Sequence, residues 1–321
     1  MIDSYNRKID YLRISLTDRC NLSCRYCMPQ GGVKSVPHAD ILRLEEIEKI
    51  VRIMAGLGVK KVRLTGGEPL IRKNVSDLAA SIASVPGIET LSMTTNGILL
   101  KDMAADLYAS GVKSVNISLD TLDEKTFEDL TGVPAFKNVL AGIDAALLAG
   151  MDVKLNCVPI KGINDKELMG IVRFGMEKGI TVRFIELMPL GCGAQFTGVP
   201  SDEIKEMLNA ELGMLEAVND DNSASPAVYY DVESGGRVGF ISPISHAFCE
   251  NCNRIRLTAE GYLKLCLQYG CGIDLRALLR SGASGDEIAS YIKEAVLAKP
   301  AAHTFGSNDK SDVRKMYQIG G

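Results

Sequence analysis

No run of about 18 or more apolar residues occurs anywhere in the 321-residue chain, so no membrane-spanning helix is expected. Its first stretch, MIDSYNRKIDYL, lacks the apolar h-region of a secretory signal. Together these point to a cytoplasmic protein with no membrane partner. There is no low-complexity tract and no short solenoid repeat. There is no surplus of positive charge either, since 36 Lys and Arg stand against 40 Asp and Glu, a formal net charge of −4. Nothing in that balance suggests a nucleic-acid coat or a polybasic anchor, and cations that hold an anionic substrate must be gathered locally. Full disulfide pairing is also missing, because nine cysteines is an odd count. In a reducing compartment, clustered cysteines read as metal ligands or catalytic groups.

What is present is an ordinary globular composition, 46% hydrophobic and 24% charged. The length suits one barrel-type domain with an appendage, or two medium domains. Six β-like runs recur at 11–17, 61–66, 90–96, 114–120, 153–160 and 181–189. Helical spacing fills the intervals. In 42–58, Leu44, Ile47, Ile50, Val51 and Met54 share a face. Segments 121–130 and 165–179 read as helices too, each with Asp or Thr available as an N-cap. Such alternation implies a parallel α/β sheet, either open and doubly wound or a partial barrel. Polar residues crowd the C-terminal end of each run, which favours an incomplete (β/α)6-type TIM barrel with its chemistry at one mouth.

The character changes near residue 219, where NDDNSASPAV (219–228) reads as a linker. Hairpins are expected around Ser234-Gly235-Gly236 and Glu260-Gly261, followed by a helix over 286–298. The expected division is therefore 1–219 for the barrel and 220–321 for a small C-terminal antiparallel β plus α appendage.

Two cysteine sets carry the chemistry. TDRCNLSCRYC (17–27) spaces Cys20, Cys24 and Cys27 as C-x3-C-x2-C. A structural zinc site wants four ligands, and the nearest histidine, His38, lies eleven residues beyond Cys27. An iron–sulfur cubane on three thiolates leaves one iron open for chemistry, and it competes with a three-ligand zinc at this point. FCENCNRIRLTAEGYLKLC (248–266) supplies Cys249, Cys252 and Cys266. A zinc ribbon completed by Cys271 or His246 is the simple alternative. Arg254 and Arg256 stand at i and i+2 on a strand, so both face the same side beside these cysteines and form a fork for phosphate or carboxylate.

C-x3-C-x2-C with Tyr26 before the third cysteine resembles the signature of radical S-adenosylmethionine enzymes, and LTGGEPL (64–70) supports it. The longer segments, including RISLTDRCNLSCRYCMP, KLNCVPIKGIND, GFISPISHAFCENCNRIRLTAEGYLKLCL and the final IGG, resemble the GTP 3′,8-cyclase family over nearly the whole chain. That family opens molybdenum cofactor biosynthesis. The resemblance implies two 4Fe–4S clusters, S-adenosylmethionine as cofactor and GTP as substrate. A 5′-deoxyadenosyl radical takes the ribose 3′ hydrogen, and C3′ then joins guanine C8.

Residue by residue, the resemblance implies that Cys20, Cys24 and Cys27 hold the first cluster and Cys249, Cys252 and Cys266 the second, on whose open iron the guanine base sits. Tyr26, Gly67, Glu68, Ser118 and Met188 correspond to S-adenosylmethionine contacts, with Glu68 set to take its ammonium. Arg13, Arg63, Thr94, Lys154, Arg254 and Arg256 correspond to GTP contacts. Arg183 is implied near the reacting nucleotide, and Gly320 and Gly321 form a tail that reaches into the pocket. An electron donor, a homodimer and hand-off of product to a cyclic pyranopterin monophosphate synthase are expected partners. The segment 223–232 lacks the Gly-Pro usual in the family, and Cys157, Cys192 and Cys271 are additional, with Cys157 expected in the core. Other readings are a peptide-modifying radical enzyme, which would carry more cysteines in the second region, and a zinc-stabilised scaffold.

Overall fold

The strands alternate polar and apolar residues, and the apolar set faces the helices. Leu12, Ile14, Val62, Leu64, Met93, Ile117 and Leu155 are all fully buried. Each is worth roughly 1.5–3 kcal/mol of burial, and together they form the layer between sheet and helices. The computed structural model describes residues 1–29, 36–218, 226–305, 312 and 314–320.

In chain order the first half runs β1 (Tyr11–Ser15), α1 (Leu44–Gly56), β2 (Lys61–Thr65), α2 (Val75–Ala83), β3 (Thr90–Thr95), α3 (Leu100–Ala109) and β4 (Ser114–Ser118). Then come α4 (Glu124–Thr131), α5 (Phe136–Leu148), β5 (Asp152–Cys157), α6 (Leu168–Lys178), β6 (Thr181–Ile185) and α7 (Ser201–Leu212). The remainder holds β7 (Leu215–Val218), β8 (Val228–Val232), β9 (Arg237–Ile241), β10 (Arg254–Leu257), β11 (Tyr262–Lys264) and β12 (Gly272–Asp274). It closes with α8 (Leu275–Arg280), α9 (Gly285–Leu297) and α10 (Met316–Ile319).

Helix α1 follows its expected periodicity, burying Ile47, Ile50, Val51 and Met54. Asp123 caps α4 through Thr126 N, as its sequence suggests. Helix α6 departs from expectation: it begins at Leu168, not at a capped Asp165. Buried Asn164 is the cause. Its Nδ2 donates to Asp120 O and Val158 O, and its Oδ1 accepts from Ile160 N, which locks the preceding turn.

Strands β1 to β6 pair in parallel and in sequence order. The C-terminal strands are not a separate antiparallel layer. They extend the same sheet at both edges, in the order β12-β11-β10-β1-β2-β3-β4-β5-β6-β9-β8-β7. Strand β10 pairs in parallel with β1, and β9 pairs in parallel with β6. The reason is edge satisfaction, since β1 and β6 would otherwise leave ladder groups open. Phe184 and Phe240 pack across the β6–β9 join with centroids 5.9 Å apart. The expected linker begins one residue after β7, its residues 219–225 lie outside the described residues, and Val228 already belongs to β8.

Candidate active site

The polar half of each strand turns to the other face of the sheet. Tyr11 and Arg13, Lys61 and Arg63, Ser92 and Thr94, Asn116 and Ser118, Lys154 and Asn156, and Arg183 line one cavity of about 590 Å³. All six cysteines of the two sets also line it. Register places the sets at opposite ends. Cys20 lies beyond the C-terminal end of β1. Cys252 precedes β10, whose Arg254 pairs with Tyr11 at the start of β1. Strand β11 runs back antiparallel, Lys264 opposite Arg256, and so returns Cys266 to the Cys252 end.

The first set is fixed by backbone contacts. Ser23 N donates to Thr131 O (2.8 Å) and Arg25 N to Leu130 O (3.0 Å), which ties the run to the end of α4. Gly67 N donates to Thr17 O at 2.7 Å, and a Cβ at Gly67 would sit 2.1 Å from Arg19 O. Only glycine permits that backbone-on-backbone approach. Burial drives the Cys24 thiol well up, and the charges of Cys27, Asp120 and Cys20 push the same way. Burial and Cys20 hold Cys27 up at about 12, and burial raises Cys20 to about 11. Three thiols that burial raises in a dry pocket need a bound cationic centre before they can be thiolates. A structural zinc wants four ligands, and this run offers three thiols. A four-iron cubane takes cysteine thiolates alone and tolerates three, so this donor set fits a cluster better than zinc.

In the second set burial raises Cys249, but Cys252 goes the other way. Burial would raise Cys252, but Lys299, Arg254 and Arg256 outweigh it and lower the thiol. Buried Lys299 donates from Nζ to Arg254 O and Leu265 O, joining two of the cysteine-bearing segments. Arg7 donates to Cys249 O (2.9 Å) and to the carbonyls of Pro300 and Ala301.

Between the two ends lies a row of like charge. Arg256, Arg13 and Arg63 are direct cross-strand partners on β10, β1 and β2. Burial lowers Arg13, and the Arg256 charge adds to the effect. Burial and Arg254 bring Arg256 down to about 10. Like charges directly opposite one another destabilise a sheet, so this row calls for an anion. Tyr11 sits among them and accepts from Arg63 Nε at 2.5 Å. Burial alone would raise its phenol, but Arg63 and Arg13 bring it down to about 8.

The remaining candidate residues fall as follows. Tyr26, Gly67, Ser118 and Met188 line the end near Cys20, and Thr94, Lys154 and Arg183 also line the cavity. Tyr26 donates to Asp120 Oδ2 at 2.7 Å. Thr94 is bridged to Arg63, and Lys154 pairs with Asp152. Arg183 donates twice to Asn156 Oδ1, at 3.0 and 2.7 Å. Gly320 O accepts from Arg256 Nη1 at 2.7 Å. Gly320 has φ 80°, and a Cβ there would lie 2.6 Å from Thr65 Oγ1, so the tail needs glycine at this point. Gly321 lies outside the described residues.

Glu68 departs from expectation. Its carboxylate is buried behind the wall and accepts from Leu70 N, Thr95 Oγ1 and Asn96 N. It caps the short turn at Pro69–Ile71 and ties the ends of β2 and β3, so it shapes the wall and does not face the cavity. Burial raises it to about 7. Sequence reasoning overlooked Tyr11, Lys61, Asn156, Lys299 and His303, all on the cavity wall. For the strand residues among these, the strict polar–apolar alternation was the available signal.

The Radical SAM superfamily profile matches residues 14–175, and the Molybdenum Cofactor Synthesis C profile matches 180–305. The solved structure of Streptococcus suis SuiB bound to S-adenosylmethionine has the same fold, with a TM-score of 0.62 at 15% identity over 91% of this chain and 67% of that one. Fold and cysteine run thus define a radical S-adenosylmethionine protein, a class that carries S-adenosylmethionine and a 4Fe–4S cluster. Curated relatives are closer still. The GTP 3′,8-cyclases of Pelotomaculum thermopropionicum and Moorella thermoacetica are each 47% identical, with both chains covered in full. The chain belongs to the GTP 3′,8-cyclase family.

Proposed function

We propose that the chain converts GTP to (8S)-3′,8-cyclo-7,8-dihydroguanosine 5′-triphosphate, the first step of molybdopterin biosynthesis. The observation that carries this reading is the row of Arg256, Arg13 and Arg63 set between two cysteine triads in one cavity. A triphosphate brings about four negative charges, and charge-assisted bonds from a preformed guanidinium row are the strong kind.

Cys20, Cys24 and Cys27 would hold the first cluster, and Cys249, Cys252 and Cys266 a second. When bound, the first supplies the electron that cleaves the S-adenosylmethionine sulfonium. Tyr26, Gly67, Ser118 and Met188 orient that cofactor, and Glu68 keeps the Gly67 turn in place. Arg13, Arg63, Arg256 and Lys154 take the triphosphate, with Thr94 holding Arg63. Arg254 reaches toward the nucleotide end beside Cys252. Arg183, oriented by Asn156, stands over the reacting sugar and base. Gly320, held by Arg256, serves the cyclisation together with Gly321 after it.

The concave face of the sheet reads as an incomplete barrel, with residues 1–219 as its frame and 220–321 supplying the second cysteine set and the tail. We also propose a cytoplasmic setting, a separate electron donor, a homodimer and hand-off of the product to a cyclic pyranopterin monophosphate synthase. The test is anaerobic incubation of the reconstituted protein with S-adenosylmethionine and a reductant. 5′-Deoxyadenosine is expected with GTP, together with one equivalent of cyclised product. Equal release with no nucleotide, or release without cyclisation, would sink the reading.

Tyr11 adds a pH dependence. Its phenol is neutral below about 8 in the free protein, so the row then has its full positive charge. Above that value a phenolate offsets one guanidinium and must regain its proton when a polyanion enters. GTP affinity is therefore expected to fall as pH rises from about 7 to about 9, by up to roughly tenfold per unit beyond the phenol pKa. Titration calorimetry on Tyr11→Phe protein should show this slope flattened.

A further inference from the structure

The loop after α9 is held at several points. Arg7 binds the carbonyls of Pro300 and Ala301, and Thr304 N donates to Gln268 Oε1 at 2.7 Å. Within it, His303 N donates to Cys249 Sγ at 3.4 Å, so the residue stands beside the second cysteine set. Phe305 N donates to His303 Nδ1 at 3.5 Å. In the neutral ring that contact fixes Nδ1 as the acceptor and leaves the proton on Nε2. Nε2 is buried, has no hydrogen-bond partner among the described residues, and belongs to a residue that lines the cavity. A buried donor left unmade costs about 1–3 kcal/mol, so a ligand acceptor is the natural completion.

The surroundings identify the acceptor. The His303 ring lies against Phe305 with centroids 4.5 Å apart, and Phe248 lines the same cavity under the Arg254 guanidinium at 5.1 Å. Arg254 Nε is a second buried donor with no partner among the described residues. Flat rings beside two buried, unpartnered donors suit a purine base better than a phosphate, which the arginine row already serves. Guanine presents O6 and N7 as acceptors, whereas adenine replaces O6 with an amino donor.

We propose that His303 selects guanine over adenine by donating its Nε2–H to O6 of the bound base. The inference rests on the reading of GTP as substrate. An adenine amino group there would face the His303 N–H donor to donor, leaving both unpaired in a dry pocket.

Equilibrium binding tests it without turnover, on anaerobically reconstituted protein with no reductant. The ligands are GTP, ATP and the 2-aminopurine riboside triphosphate, which lacks O6. Wild-type protein is expected to hold GTP at least roughly tenfold more tightly than either of the others. His303→Ala should weaken GTP about tenfold and leave the 2-aminopurine nucleotide unchanged, while His303→Gln, which keeps an N–H donor, should recover part of the loss. Iron content matching the wild type would show that the second cysteine set survives in both variants. Equal effects of His303→Ala on the two nucleotides, or none on either, overturn the proposal. So does a wild-type protein that binds GTP and the 2-aminopurine nucleotide alike, whatever the variants do. Failure of the wild type to bind GTP at all would instead overturn the substrate reading.

Discussion

Cys24→Ser protein, purified and reconstituted without oxygen, should carry about four irons per chain, half of the roughly eight expected for the wild type. It should release no 5′-deoxyadenosine. Cys24 is the central cysteine of the first run: its carbonyl accepts from both Cys27 N and Met28 N at 2.9 Å, and its thiol feels Cys27 and Cys20. A serine hydroxyl keeps the shape, but it neither ionises at neutral pH nor offers a soft donor. The remaining iron is expected to persist because the second set depends on other contacts, those of Arg7, Lys299 and the loop at His303. GTP affinity should therefore change little. Iron counting and single-turnover chromatography check both parts. Zinc in place of iron in the wild type would remove the basis of the mechanism, and eight irons retained in the variant would remove Cys24 from the ligand set.

Arg256→Ala should separate binding from stability. The guanidinium is buried beside like charges, with Arg13 as its direct cross-strand partner and Arg254 two residues away on the same strand. Removing it relieves repulsion in the free protein, so the unfolding midpoint without nucleotide is expected to hold or rise. Binding should suffer on two counts. The phosphate row loses its edge member, and the tail loses the bond from Arg256 Nη1 to Gly320 O. One charged hydrogen bond is worth about 1.5–3 kcal/mol, or roughly 10- to 150-fold in Kd. GTP should weaken by that much, and guanosine, which lacks phosphates, should hardly respond. Calorimetric titration of both ligands, with thermal unfolding of each protein, decides the matter. A variant that unfolds several degrees lower and loses both ligands equally would show that Arg256 is a structural cation only.

Much of the frame could be read from residues alone because it follows local rules. YLRIS, KVRLT, TLSMT and SVNIS each alternate polar with apolar side chains, which sets strand identity and, with it, a polar lumen. The two cysteine runs were visible through their spacing. What escaped depends on contacts between distant parts of the chain. Arg7 meets Cys249, and Lys299 meets Arg254 and Leu265, yet none of these pairs leaves a local periodic trace. Glu68 shows the converse limit: its neighbours in sequence suggested a ligand contact, while the backbone donors of Leu70 and Asn96 turn it inward. The start of α6 shifted for the same kind of reason, through one buried asparagine.

The pairing of β10 with β1 has a mechanical consequence. One cysteine set follows the last residue of β1, and the other precedes the residue paired with its first. Five residues of extended chain span roughly 17 Å, and a hydrogen-bonded strand neither stretches nor bends like a loop. The strand is therefore a fixed ruler between the two cysteine sets. Loop motion can open or close the cavity without changing the length of the strand floor beneath it.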